Sequence, residues 1–185
     1  QELLLLQELR ASAPASELTI RVDANGAFLP SEIGSVLEEL ARIDIHSIEQ
    51  PIGAGQIDQM RELCMHTPVP IALDEELIGV NSPAQKRALL ELIQPQYIIL
   101  KPSLHGGLSG VREWIALAEE RNIGWWLTSA LESSIGLSAI VQFGACYAPT
   151  IPQGFGTGGL YINNFPAPLR IQEGHICWVN DSSKD

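Results

Sequence analysis

Four charged residues close four short apolar runs at an even spacing. Asp23 ends LTIRVD, Glu49 ends IHSIE, Asp74 ends PIALD and Lys101 ends YIILK, at gaps of 26, 25 and 27 residues. Thr128 after WWLT and Gly154 after TIPQ continue the beat without a charge, at gaps of 27 and 26. A charge at the end of a buried strand is costly unless it has a task. Three carboxylates at the ends of neighbouring parallel strands would repel one another, and a hard divalent cation resolves that repulsion. The pattern predicts a magnesium site, with manganese as a substitute, at Asp23, Glu49 and Asp74. Its chemistry would be Lewis-acid stabilisation of charge building on a substrate oxygen. Three separate helix caps or loop ion pairs are the plainer reading of the same acids, and their equal phase favours the site.

Lys101, within LKPSLHGG, falls on the same beat. Beside a metal it could exchange protons, or hold a positive charge next to an enolate. A structural ion pair with Asp74 or Glu75 is the alternative. Asn25, Gln50 and Glu75 follow the three acids by one or two positions. They suit hydrogen bonds that orient the carboxylates or Lys101, with loop capping as the competing use. In SALESSIG, Ser129, Ser133 and Ser134 surround a strand-to-helix turn whose backbone N–H groups suit a carboxylate. Ser133 could equally be a plain helix cap, and no GxSxG pattern points to a serine hydrolase. GFGTGG, which holds Gly156 and Thr157, lacks the Lys-Ser/Thr of a phosphate-binding loop and is expected to be a tight turn lining a barrel mouth. Ser129, Ser133, Gly156 and Thr157 are the expected substrate contacts. His105 is the one histidine near the predicted site.

The elements that must carry these residues alternate. Strands are expected at 18–22, 45–48, 70–73, 97–100, 124–127 and near 150–153. Helices are expected at 2–11, from Ser31 as N-cap, at 56–65, over SPAQKRALLELI with Ser82 as cap and Pro83 in first position, at 109–121 and at 133–146. The strands are apolar and β-branched without strict alternation, as parallel strands covered on both sides are. The tail LRIQEGHICWV reads as an antiparallel hairpin turning at Glu173-Gly174. The fold class is therefore α/β, a partial (β/α)8 TIM-type barrel of about six βα units. Residues 1–165 form the partial barrel, and residues 166–185 form a hairpin and tail packing on it. A chain that starts in a helix with no strand before it suggests that the N-terminal units of a larger protein are absent.

Composition narrows the partners. The 185 residues are 45% hydrophobic and 18% charged, enough for a sizeable core, with a formal net charge of −11. That charge argues against nucleic acid and anionic membranes and suits a site holding a cation. No run reaches the ~18 apolar residues of a membrane span. Gln1 opens into ELLLLQELR with no basic region of a signal peptide, and Cys64, Cys146 and Cys177 read as reduced core thiols, so a cytoplasmic location is expected.

Taken together, RVDANGAF, SIEQPI, ALDEE, LKPS and ESSIG resemble the barrel domain of the enolase superfamily, in its muconate-lactonising-enzyme subgroup. The resemblance runs from about Thr19 to Leu160. TSALESSIG and GFGTGGLY are most similar to the members that form o-succinylbenzoate in menaquinone synthesis. The resemblance implies Asp23, Glu49 and Asp74 as magnesium ligands and Lys101 as the lysine of the sixth barrel strand. The implied activity is loss of water from a cyclohexadiene carboxylate through a metal-stabilised enediolate. A dipeptide epimerase or a muconate-type cycloisomerase would share the site, and a non-catalytic partial barrel is a reading of another class. The implied partner is a small-molecule carboxylate, with self-association or association with a missing N-terminal portion as a further expectation. The superfamily's Lys-x-Lys motif, expected ahead of Asp23, has no counterpart in residues 1–22, and the capping domain that the resemblance implies ahead of the barrel is expected to be absent too, so the chain alone is expected to be inactive or nearly so.

Overall fold

Short parallel strands organise the sheet. The computed structural model describes residues 2–179. A five-stranded sheet runs in the order β1 (Arg21–Asp23), β2 (Ser47–Glu49), β3 (Ile71–Leu73), β4 (Tyr97–Leu100), β5 (Gly124–Leu127). The first four strands pair in parallel, with Asp23 opposite Glu49, Glu49 opposite Ala72 and Ala72 opposite Tyr97. Helices alternate with them: α1 (Glu2–Ser12), α2 (Ile33–Arg42), α3 (Ile57–His66), α4 (Pro83–Ile93), α5 (Gly107–Glu119) and α6 (Ser134–Ala145). Strand, helix and next parallel strand form the repeating unit that the regular spacing predicts.

Two compact units make up the chain. The first is Gln1–Ile99 with Ile115–Trp125, and the second is Leu100–Trp114 with Trp126–Asp185. In the first, the strand residues Ile48, Ile71, Ala72, Leu73 and Ile98 are buried. Helix α2 buries Ile33, Leu37 and Leu40, which recur at helical spacing. Helices α3 and α4 pack on one another and bury Met60, Cys64, Leu90 and Ile93. In the second unit, Leu100, Val111, Trp114, Leu127, Leu137, Ile140 and Phe143 are buried.

Helix α4 begins as its sequence predicts. Ser82 Oγ accepts the Gln85 N–H at 3.2 Å, the Gln85 side chain accepts the Ser82 N–H at 3.3 Å, and Pro83 fills the first position, where its missing N–H costs nothing. Helix α2 departs from expectation. It starts after Glu32, which makes no side-chain cap, so Ser31 is not the N-cap. Backbone bonds from Glu32 and Ile33 to the Leu29 carbonyl lead into the helix instead. Helix α1 buries none of its residues. It is held by Arg10, whose guanidinium donates to the carbonyls of Ile43 at 3.0 Å, Leu18 at 2.8 Å, Ala13 at 3.2 Å and Asp44 at 3.1 Å.

The expected sixth strand is reduced to a single parallel bridge between Thr128 and Gly154. Pro149 and Pro152 cannot donate to a ladder. The Gln153 side chain takes over part of that task and accepts the Leu127 N–H at 2.7 Å. Gly154 is required where it stands, because a Cβ there would lie 2.5 Å from Thr128 Oγ1.

The tail forms the expected hairpin, β6 (Leu169–Gln172) against β7 (His175–Trp178). Its two turn residues, Glu173 at φ 51° and Gly174 at φ 75°, have the positive angles that suit the strand twist. All three cysteines are free, but only Cys64 is a core thiol: Cys146 is exposed and Cys177 half-buried. Burial, with the nearby Glu76 charge, pushes the Cys64 thiol up to about 12, which makes it inert. Among the described residues, no helix is long and apolar enough to cross a membrane.

Candidate active site

The first unit gathers the three acids of the beat at successive strand ends. Asp23 and Glu49 are the last residues of β1 and β2, and Asp74 directly follows β3. Burial increases along the row: Asp23 is exposed, Glu49 half-buried and Asp74 1% exposed. The loops behind them are stitched together. The Ala24 N–H donates to the Glu49 carbonyl at 3.0 Å, and the Gly26 N–H donates to the Gln50 carbonyl at 2.7 Å. Gly26 has φ 70°, and a Cβ on it would come within 2.9 Å of Gly53 Cα, so this close approach needs glycine.

Hydrogen bonds set the direction of the Asp23 carboxylate and hold the backbone at Asp74. Asn25 donates from its backbone to Asp23 Oδ1 at 2.9 Å and from its side chain to Asp23 Oδ2 at 2.9 Å. The same Asn25 amide reaches Glu75 Oε1 at 3.2 Å and so links two of the loops. Gln50 is fully buried. Its side-chain carbonyl accepts the N–H groups of Asp74 at 3.1 Å and Glu76 at 3.3 Å. Its amide donates to Ile52 O at 3.0 Å and Glu76 Oε2 at 3.3 Å.

Glu76 was not among the residues expected at the site. It is 7% exposed and also accepts the Gly55 N–H at 2.9 Å. The three consecutive acids Asp74, Glu75 and Glu76 were the signal, since one of them had to turn inward.

Among the described residues, no three His, Cys, Asp or Glu side chains stand ready-gathered around one metal position. The donor chemistry nevertheless fits a hard cation. It consists of carboxylate oxygens without thiolate or imidazole, and Glu75 Oε2 is buried with no hydrogen-bond partner among the described residues. Asp23, Glu49 and Asp74 could hold such an ion, with Glu75 beside them.

The remaining expected residues lie in the second unit. Lys101 follows β4 and is half-buried. Its N–H donates to Nδ1 of the buried His105 at 3.0 Å, and its carbonyl accepts from Leu104 at 2.8 Å and His105 at 3.1 Å. His105 therefore props the backbone of the lysine turn.

Ser129 is buried, and its hydroxyl donates to Glu132 Oε2 at 2.6 Å. Ser133 is the N-cap of α6 without a side-chain cap bond, and the neighbouring Ser134 N–H is taken by Asn164 Oδ1 at 2.7 Å. Gly156 and Thr157 lie in a short 3-10 turn, where Thr157 Oγ1 is buried with no hydrogen-bond partner among the described residues.

Burial works to raise the Glu132 carboxyl. Donors from Ser103, Ser129 and the backbone outweigh it and hold the group below its ordinary range.

The family model "Enolase C-terminal domain-like" matches residues 2–180. An o-succinylbenzoate synthase of Desulfotalea psychrophila is 53% identical over 174 residues, covering 94% of this chain and 47% of that protein. An L-Ala-D/L-Glu epimerase of Bacillus subtilis is 28% identical over 142 residues, covering 76% of this chain and 38% of that protein. The crystal structure of MenC from Desulfotalea psychrophila superposes with a TM-score of 0.91 at 52% identity, covering 95% of this chain and 49% of that one. The chain thus spans about half the length of the curated relatives it matches. It belongs to the enolase C-terminal domain-like family, and its fold is part of that family's TIM-type barrel.

Proposed function

We propose that the protein that carries this chain is a magnesium-dependent carbon–oxygen lyase that dehydrates a cyclohexadiene carboxylate to o-succinylbenzoate. The observation that carries this reading is the 53% identity to an o-succinylbenzoate synthase across 94% of the chain. A bound magnesium ion would supply Lewis-acid stabilisation of negative charge on the substrate carboxylate. Asp23, Glu49 and Asp74 would hold it, with Asn25, Gln50 and Glu75 directing the ligands. Lys101 would stand as a cation beside the charge that develops when the proton next to the carboxylate leaves. Ser129, Ser133, Gly156 and Thr157 would border the substrate through their backbone groups. The expected compartment is the cytoplasm.

The proton itself would be moved by a lysine of the Lys-x-Lys motif that the family resemblance implies. Residues 1–22 hold no lysine. Turnover by the isolated 185 residues is accordingly expected to be slight, since a placed acid/base group contributes typically about 10²–10⁴-fold.

The test is to supply the full-length protein with magnesium and the cyclohexadiene carboxylate and follow o-succinylbenzoate by mass spectrometry. A folded, metal-loaded protein that forms no product would refute the assignment. The 28% identity to a dipeptide epimerase favours one second reading. Solvent deuterium entering the α-carbon of L-Ala-L-Glu would support it.

A further inference from the structure

Helix caps act locally, but one carboxylate in the second unit does not. Glu132 Oε2 accepts the Ser129 hydroxyl at 2.6 Å and the Ala130 N–H at 2.8 Å. Ser129 Oγ in turn accepts N–H groups from Leu131 at 2.9 Å and Glu132 at 3.3 Å. These bonds alone would describe the lead-in to α6. The other oxygen, Oε1, accepts the hydroxyl of Ser103 at 2.5 Å, from 29 residues earlier in the chain. Ser103 lies two residues after Lys101, in the turn already closed on itself by the Lys101 carbonyl and by His105. One carboxylate therefore fastens the turn after β4 to the turn after β5.

The second turn is under constraint where Glu132 grips it. Leu131 has φ 66°, in the left-handed region that side chains seldom adopt, and its carbonyl accepts the Tyr161 hydroxyl at 2.9 Å. Such a conformation persists only where surrounding bonds over-determine it, and these cluster at functional sites.

We infer that Glu132 is a positioning residue, which sets the place of Lys101 through Ser103. The inference rests on the proposed reading of Lys101 as the active-site cation. Charge-assisted hydrogen bonds from hydroxyl to carboxylate are short and strong, and three donors on one carboxylate leave it little freedom. The Glu132 carboxyl, held below its ordinary range by these donors, stays ionised at neutral pH. Ser103 is exposed, so its loss leaves no buried group unsatisfied on its own side.

The experiment is a mutant cycle in the full-length protein, reading o-succinylbenzoate formation. Ser103→Ala should lower kcat by about tenfold to a hundredfold, the scale of a misplaced catalytic group, with KM changed less than about twofold. Ser103→Thr, which keeps the hydroxyl, should recover most of it. In a Lys101→Ala background the same Ser103→Ala change should have no further effect. An unchanged kcat, or an equal loss in both backgrounds, would overturn the positioning role while leaving the reading of Lys101 intact. Full activity in Lys101→Ala itself would instead sink that reading, and this inference with it. Hydrogen exchange across 101–106 gives an independent readout. It should speed up in Ser103→Ala and in Glu132→Gln but not in Ser103→Thr, and equal protection in all of them would also overturn the proposal.

Discussion

The side-chain carbonyl of Gln50 holds the backbone N–H of Asp74 at 3.1 Å, so an amide at the end of one strand fixes the acid at the end of the next. The same oxygen takes the Glu76 N–H, and Gln50 is fully buried. Gln50→Leu keeps much of the bulk and leaves two buried donors without an acceptor. The expected destabilisation is about 2–5 kcal/mol, since each orphaned buried group costs about 1–3. Urea unfolding of the variant measures it, and a loss below about 1 kcal/mol would mean that water or another group replaces the amide.

Asp23 and Glu49 face each other across the β1–β2 ladder, and like charges placed so are destabilising. A divalent cation should relieve them. Magnesium or manganese is expected to raise the thermal midpoint, by an amount equivalent to about 2.7 kcal/mol at a hundred times its Kd. Asp74→Asn should weaken binding by at least about tenfold, because even the partners of metal ligands are worth that much. Calorimetric titration of parent and variant decides it: equal affinities would remove Asp74 from the ligand set.

Lys101→Arg keeps the positive charge but not easy proton exchange, whereas Lys101→Ala removes both. If Lys101 acts by charge, Ala should cost about 10²–10³-fold in kcat and Arg clearly less. Rates of o-succinylbenzoate formation in the full-length protein compare them. Equal losses, with metal affinity and circular dichroism unchanged, would favour a lysine that transfers protons, as an epimerase working on both faces requires.

The Glu132 clamp also predicts a pH dependence. Its carboxyl sits below the ordinary 4.5 in the folded chain, so it binds a proton less readily than when unfolded. Its stabilisation is then complete above the unfolded value and drains away as pH falls through the folded one. Urea midpoints measured from pH 7 down to pH 3 should fall more steeply in the parent than in Glu132→Gln. Parallel curves would show that the carboxylate contributes nothing specific.

The beat of strand ends was legible because buried parallel strands must be apolar and only their ends can carry charge, as Ile71–Leu73 before Asp74 shows. The sixth strand was not, because TIPQ matches the beat while its proline withholds a donor. Ser31 looked like a cap, yet capping depends on backbone angles that a residue type does not specify. Glu132 was overshadowed by its serines. The signal was there, since Ser129 and Glu132 stand in the Ser-x-x-Glu spacing of a capping box. What no spacing disclosed was the reach of Glu132 back to Ser103, a contact between residues 29 apart in the chain. Gln50 was read from its place after Glu49, whereas the inward turn of Glu76 was not, since polar residues near strand ends read as exposed until the loops close over them.

Arg10 fastens α1 by four bonds to carbonyl oxygens, while α1 itself buries no residue. A helix attached this way exposes little new apolar surface when it lets go. Heat capacity and denaturant slope both scale with such surface. Detachment of α1 should therefore be almost silent in calorimetry and in urea slopes. It would instead show as early amide exchange or protease cutting, with the rest of the first unit still folded.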